Sequence, residues 1–95
     1  MRMRIADELQ LKLQYKRGFG AWTYHLRIPD TMDIEGKWGS MKVIGWIDNY
    51  HIDGLNLAPR KNEDKILSIN KEIRDAIKKG AGDTVTVTLD LYYDL

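Results

Sequence analysis

Ile69-Asn70-Lys71-Glu72-Ile73-Arg74-Asp75-Ala76-Ile77-Lys78-Lys79-Gly80-Ala81-Gly82-Asp83-Thr84-Val85-Thr86-Val87-Thr88-Leu89-Asp90-Leu91 is the stretch whose reading decides the fold. Asn70 has the short polar side chain that caps a helix start, and Ile73, Ala76 and Ile77 fall on one helical face. Lys78 and Lys79 suit the negative end of the helix dipole, and Gly80 is the expected stop. After the turn at Gly82-Asp83, Val85, Val87, Leu89, Leu91 and Tyr93 alternate with polar residues, the period-two pattern of a strand with one buried face. Strand end, short helix, turn and strand in that order predict a small β-barrel.

Working outward, Leu9, Leu11, Leu13 and Tyr15 alternate with Gln10, Lys12 and Gln14, and Trp22, Tyr24, Leu26 and Ile28 alternate with Thr23, His25 and Arg27. The two runs flank a turn at Lys16-Arg17-Gly18-Phe19-Gly20 and read as a hairpin closed off by Pro29. Residues 30–40 read as irregular. Met41 to Ile47 is apolar on both faces, as a central strand should be, and Gly45 within it marks a bulge or a close backbone approach. Tyr50, Ile52, Leu55 and Leu57 form a fourth strand broken at Asp53-Gly54, Ala58 to Asp64 reads as a mobile loop, and Lys65 to Ile69 as a fifth strand.

At an offset of roughly 42 residues the chain matches itself faintly: Val43, Ile47 and Asp48 fall on Val85, Leu89 and Asp90, and Leu13 and Tyr15 on Leu55 and Leu57. Leu26 and Ile28 match Leu67 and Ile69 when one residue is dropped. The expected architecture is therefore mostly β, a closed six-stranded double-split barrel with one short helix near residues 70–79, in two related halves of about 1–48 and 49–95.

A chain of 95 residues, 43% hydrophobic, supports one core and hence one domain. With 15 basic and 14 acidic residues no whole-molecule field draws it to nucleic acid or to an anionic membrane. The absence of cysteine excludes disulfides, thiolate metal sites and cysteine nucleophiles. Met1 to Glu8 turns acidic before any apolar run develops, and no stretch approaches the ~20 apolar residues of a membrane span, so the expectation is a cytoplasmic protein, a monomer or weak homodimer with no membrane role.

The order Leu26-Arg27-Ile28-Pro29, Gly39 to Ile47, Asp53-Gly54-Leu55-Asn56-Leu57-Ala58-Pro59, Leu67 to Arg74 and Gly82-Asp83-Thr84-Val85 resembles a family of bacterial domains, domain of unknown function nineteen-zero-five. Its members often stand beside or are fused to a bacteriocin-protection type domain. The resemblance covers nearly the whole chain and implies a double-split β-barrel, distantly similar to the swapped-hairpin regulators of the AbrB, MazE and SpoVT type. It implies architecture and assigns no activity. Ile69 to Arg74 followed by Gly82-Asp83 is also similar to the second half of a swapped-hairpin DNA-binding protomer, which makes Lys65, Lys71 and Arg74 the candidate phosphate contacts. Asp64-Lys65 stands where those proteins carry Gly-Arg, Asn70 where they carry Pro, and Asp75 follows Arg74, which counts against DNA.

No constellation predicts chemistry. His51 and Asp53 with Asp48 make too few metal ligands, and the calcium-like Asn49-x-His51-x-Asp53-Gly54 would have Arg60 at its twelfth position. His25 sits on the expected polar face with no partner in sight, Ser40 and Ser68 lack a nucleophile elbow, and Gly18-Phe19-Gly20 and Gly80-Ala81-Gly82 are turn glycines. No catalytic residue, metal or cofactor is expected. Aromatic residues carry what signal there is: Trp22 reads as core, Trp46 has the opposite phase to Val43 and Ile47, and Trp38 lies in an irregular loop. The expected function is a non-catalytic binding module for a protein or small ligand, using Trp38, Trp46, Tyr50 and His51 with Arg60 and Lys61. A nucleic-acid-binding regulator using Lys65, Lys71 and Arg74 is the alternative, and an enzyme built on His25 or His51 comes third.

Overall fold

The computed structural model describes residues 2–36, 39 and 41–93. Alternation and β-branched residues produce seven strands: β1 Arg2–Lys12, β2 Gln14–Tyr15, β3 Tyr24–Arg27, β4 Met41–Ile47, β5 Tyr50–Arg60, β6 Glu63–Ser68 and β7 Thr84–Tyr93. One α-helix, α1 at Lys71–Ile77, and one 3-10 turn at Gly20–Trp22 complete the described elements.

The strands form one sheet in the order β1-β7-β4-β5-β6-β3-β2, every pair antiparallel. This is an open half-barrel of seven strands rather than the closed six-stranded barrel that the sequence predicts. The seventh strand arises at Leu13. The expected first strand is divided there: its larger part, β1, pairs with β7, and only Gln14 and Tyr15 pair with His25 and Tyr24. The expected hairpin of residues 9–15 with 22–28 thus shrinks to two residue pairs. Leu13 itself, 1% exposed, bonds through its N–H to the Asp83 carbonyl and through its carbonyl to the Gly82 N–H. The sheet curls until its two end strands are successive pieces of one run of chain.

β5 makes the corresponding bend on the opposite side. Its residues 50–56 pair with β4 and its residues 57–60 with β6. Gly54, at φ +89, takes up the irregularity between Val43 and Ile44 in the register. β4 pairs with β7 and β3 with β6 across the middle, with Leu26 directly opposite Leu67.

Inward-facing Leu26, Ile28, Met41, Val43, Ile47, Leu57, Leu67, Val87, Leu89 and Leu91 are almost wholly buried, and Ile73 and Ile77 of α1 close the core. The helix starts as its sequence dictates: the Asn70 side-chain oxygen accepts the Ile73 N–H at 2.9 Å. It ends sooner, because Lys78 takes the left-handed conformation at φ 58 that Gly80 was expected to supply.

Four local expectations change. β1 begins at Arg2, seven residues before the alternating run at Leu9. Ala58 to Asp64 is mostly ladder, with only Lys61 and Asn62 in the turn, because Pro59 sits at a register shift where its missing N–H costs no bond. Trp22 lies in the 3-10 turn and packs outside the sheet. His25 is buried rather than solvated: the Phe19-to-Trp22 segment folds over it, placing the Phe19 ring centroid at 5.6 Å, and its Nδ1 donates to the Trp22 carbonyl at 2.7 Å.

Candidate functional site

The outer face of β1, β7, β4 and β5 can be read row by row from the register. Arg2, Tyr92, Lys42 and Asn56 form one row, Arg4, Asp90, Ile44 and Asp53 the next, and Thr88, Trp46 and His51 the third. Most polar members of the first two rows are paired. Lys42 donates to Asn56 at 2.9 Å, the Tyr92 hydroxyl donates to Asp53 at 3.2 Å, and Arg4 pairs with Asp90 and, at 3.3 Å, with Asp7. The hydrogen bond that Arg4 donates to Asp90, reinforced by the carboxylate's charge, holds the proton on Arg4 more firmly than usual.

The third row differs. Trp46 is 49% exposed, and its ring meets the His51 ring edge to face at 4.9 Å. Beside it, Gly45 at φ +154 lets the β7 backbone pass so close that a Cβ would stand 1.9 Å from the Thr88 carbonyl oxygen. Thr88 is in turn fixed by the Glu8 N–H, which donates to its hydroxyl at 3.0 Å from a kink in β1 where Glu8 has φ 48. The indole, its two arginine neighbours Arg2 and Arg4, Ile44, His51 and Asp90 line a shallow cleft of about 180 Å³. Strand phase explains the exposure: Val43 and Ile47 point inward, so Trp46 must point outward, and no helix among the described residues covers it.

Tyr50 does not join this group. It stands opposite Ile47 and packs against the core side, so it lies on the other face from Trp46 and His51. There, Tyr50, Ile52 and Leu55 with Asn70, Glu72 and Ile73 of the helix start line a second cleft of about 290 Å³, and His51 and Asp53 form its rim. His51 therefore borders both clefts.

Arg60 and Lys61 sit at the opposite end of β5. Arg60 lies over the Phe19 ring at 4.6 Å and borders a third cavity, of about 250 Å³, with Trp22, Ala58, Pro59 and Ile66. Lys61 is exposed in the hairpin turn. Trp38 lies outside the described residues. The five described residues of the expected binding site are thus distributed over separate places, with Trp46 and His51 the one pair among them in ring contact.

The residues proposed to meet nucleic acid do not converge. Lys65 is only 3% exposed, and its Nζ donates to the Thr31 carbonyl at 2.8 Å. Its own backbone N–H donates to the Thr31 hydroxyl, so it anchors the loop after β3 instead of facing solvent. Lys71 pairs with Asp75 at 2.7 Å, and Arg74 stacks its guanidinium on Tyr24 at 3.6 Å. Among the described residues no group of three or more His, Cys, Asp or Glu side chains could hold a metal ion. No helix among them is long and apolar enough to cross a membrane. Two features escaped sequence reasoning. Arg2 and Arg4 share a strand face by their spacing, which was visible, but only the ladder to β7 brings them to Trp46. Phe19 and Trp22 reach Arg60 through a turn whose path no periodicity reveals.

Residues 10–89 match the family described as Domain of unknown function (DUF1905). The chain belongs to the DUF1905 family. No curated protein matches it, and no solved structure does. The part of this DUF1905 domain that matches includes Ile44, Trp46, His51 and Thr88 but neither Arg2 nor Arg4, which precede it, nor Asp90, which follows it.

Proposed function

We propose that this DUF1905 domain is a non-catalytic binding module whose recognition surface is the outer face of the sheet around Trp46 and His51. The observation that carries the reading is the half-exposed indole of Trp46 on a central strand, with Ile44 next to it and the hydrogen-bonded, rigid rows of Arg4-Asp90 and Lys42-Asn56 alongside. A large aromatic group left in water on a rigid strand contributes little to folding and much to binding, because it loses no backbone freedom when a partner covers it. Arg2 at the rim favours a partner with a planar or anionic group against the ring, whereas Arg4 is already held by Asp90 and Asp7. The halves, about 1–48 and 49–95, are read as related units, on the support of the mutual pairs Gly45↔Leu89 and Ile47↔Val87; Trp46 opposite Thr88 then stands at the middle, where β4 meets β7.

The test is a nuclear magnetic resonance screen of small aromatic, cationic and anionic fragments, following the indole N–H of Trp46 and the ring of His51. Several fragments are expected to shift both signals, and Trp46→Ala should abolish that binding while costing only about 1 kcal/mol of stability, because a half-exposed side chain buries about half its area. A loss above about 3 kcal/mol with no fragment bound would make Trp46 a packing residue and end the reading.

A further inference from the structure

The cavity beside Arg60 shares no lining residue with the Trp46 cleft and is built differently. Its floor is apolar: Ile66 and Ala58 stand opposite each other on β6 and β5, with Pro59 and the Trp22 ring as walls. Arg60 is the cation of its lining, and Lys16 and Arg27 stand near it. Arg60 and Lys16 both lie against the Phe19 ring, at 4.6 Å and 4.9 Å, and Arg27 projects from the β3 position directly opposite Ile66. Among the described residues Glu63 is the one carboxylate in reach of Arg60, 3.9 Å from its Nε, and Glu63 is already held by Arg27 at 3.1 Å. The rim therefore keeps a surplus of positive charge over an apolar floor.

We propose that this cavity binds a small carboxylate with an aromatic or branched apolar body, the body resting on Trp22, Ala58 and Ile66 and the carboxylate meeting the guanidinium of Arg60. The volume of about 250 Å³ is below that of most drug-sized ligand sites, which sets the size at a single ring or a branched side chain. Guanidinium matches carboxylate geometry through two parallel N–H donors, and stacking on Phe19 limits the orientations from which Arg60 must choose. The same chemistry is offered by a free organic acid and by the C-terminal residue of a peptide with an apolar side chain.

Phenylacetate is the probe, titrated to roughly ten times a millimolar dissociation constant, with the Trp22 indole N–H and Ile66 methyl resonances as readouts. Saturable shifts at both are expected, with at least tenfold weaker binding to Arg60→Gln and loss of binding to Ala58→Leu, which fills the floor without touching the cation. Trp46→Ala should bind unchanged, so failure here and failure of the Trp46 reading are separate results. A tetrapeptide ending in phenylalanine, with free and with amidated terminus, decides the source. Preference for the free-terminus peptide over phenylacetate marks a reader of chain ends, and the reverse marks a small-molecule site; either upholds the pocket. Equal binding of phenylacetamide, unchanged affinity of Arg60→Gln, or no saturable shift would overturn the proposal.

Discussion

Replacing Gly45 by alanine tests the contact that sets Trp46 in place. Gly45 lies at φ +154, a conformation with a side-chain penalty of about 1–3 kcal/mol, and the added Cβ would stand 1.9 Å from the Thr88 carbonyl oxygen. That oxygen belongs to the backbone of β7, between β1 and β4, so it cannot swing aside as a flexible side chain would. Forcing the strands apart adds overpacking strain of about 1–3 kcal/mol, for a total of about 2–6 kcal/mol. For a domain of this size roughly 4–8 °C of Tm accompany each kcal/mol, so the midpoint should fall by at least about 8 °C. Gly18→Ala is the reference: it has positive φ, at +79, but nothing within 4 Å, and should cost only about 1 kcal/mol. Urea unfolding followed by circular dichroism gives both free energies, provided the m-value is unchanged. If Gly45→Ala falls within about 1 kcal/mol of Gly18→Ala, the close approach of β4 and β7 is not what holds this glycine, and the reasoning fails.

Two further outcomes follow from the packing. Lys65→Ala removes the donor that satisfies the Thr31 carbonyl and leaves a void where the stem was, so unfolding free energy should drop by about 2–4 kcal/mol, whereas Lys65→Met keeps the stem and should recover roughly half; equal losses in urea unfolding would show that the amine alone matters. Asn70→Ala deletes the helix cap to Ile73 and should cost about 1 kcal/mol, and Asn70→Asp should restore it; a neutral Asn70→Ala in thermal melts would mean that burial of Ile73 and Ile77 alone holds α1.

Much of the fold was legible because local chemistry and tertiary demand agree in the second half of the chain. Val85, Val87, Leu89 and Leu91 are buried in the phase their alternation predicts, and Asn70 caps the helix it precedes. The glycine within the apolar run of β4 marks a close approach, as its position suggests, and the phase of Trp46 against Val43 and Ile47 sets it outside the core. In the first half, agreement weakens. His25 and Trp22 follow strand alternation in the sequence, yet a 3-10 turn reverses the role of each, and Lys65 is buried although its charge predicts a surface. Lysine carries a long apolar stem, and the carbonyls of the Thr31 loop supply the acceptors that make burial tolerable.

The sequence by itself determined the class, the helix, the inward face of most strands and the family, because period-two patterning, caps and turn residues act within a few neighbours. Only the tertiary structure decided which strands pair, that β1 leaves its expected hairpin for β7, and that the sheet stays an open half-barrel. It also decided that Trp46 meets His51 and shares a cleft with Arg4 while Tyr50 turns to the core and Arg60 joins Phe19 and Trp22 at the far end. Pairing between residues as distant as Arg4 and Asp90 depends on register and on the bends at Leu13 and Gly54, and these are set by the sum of all core contacts rather than by any residue's own preference.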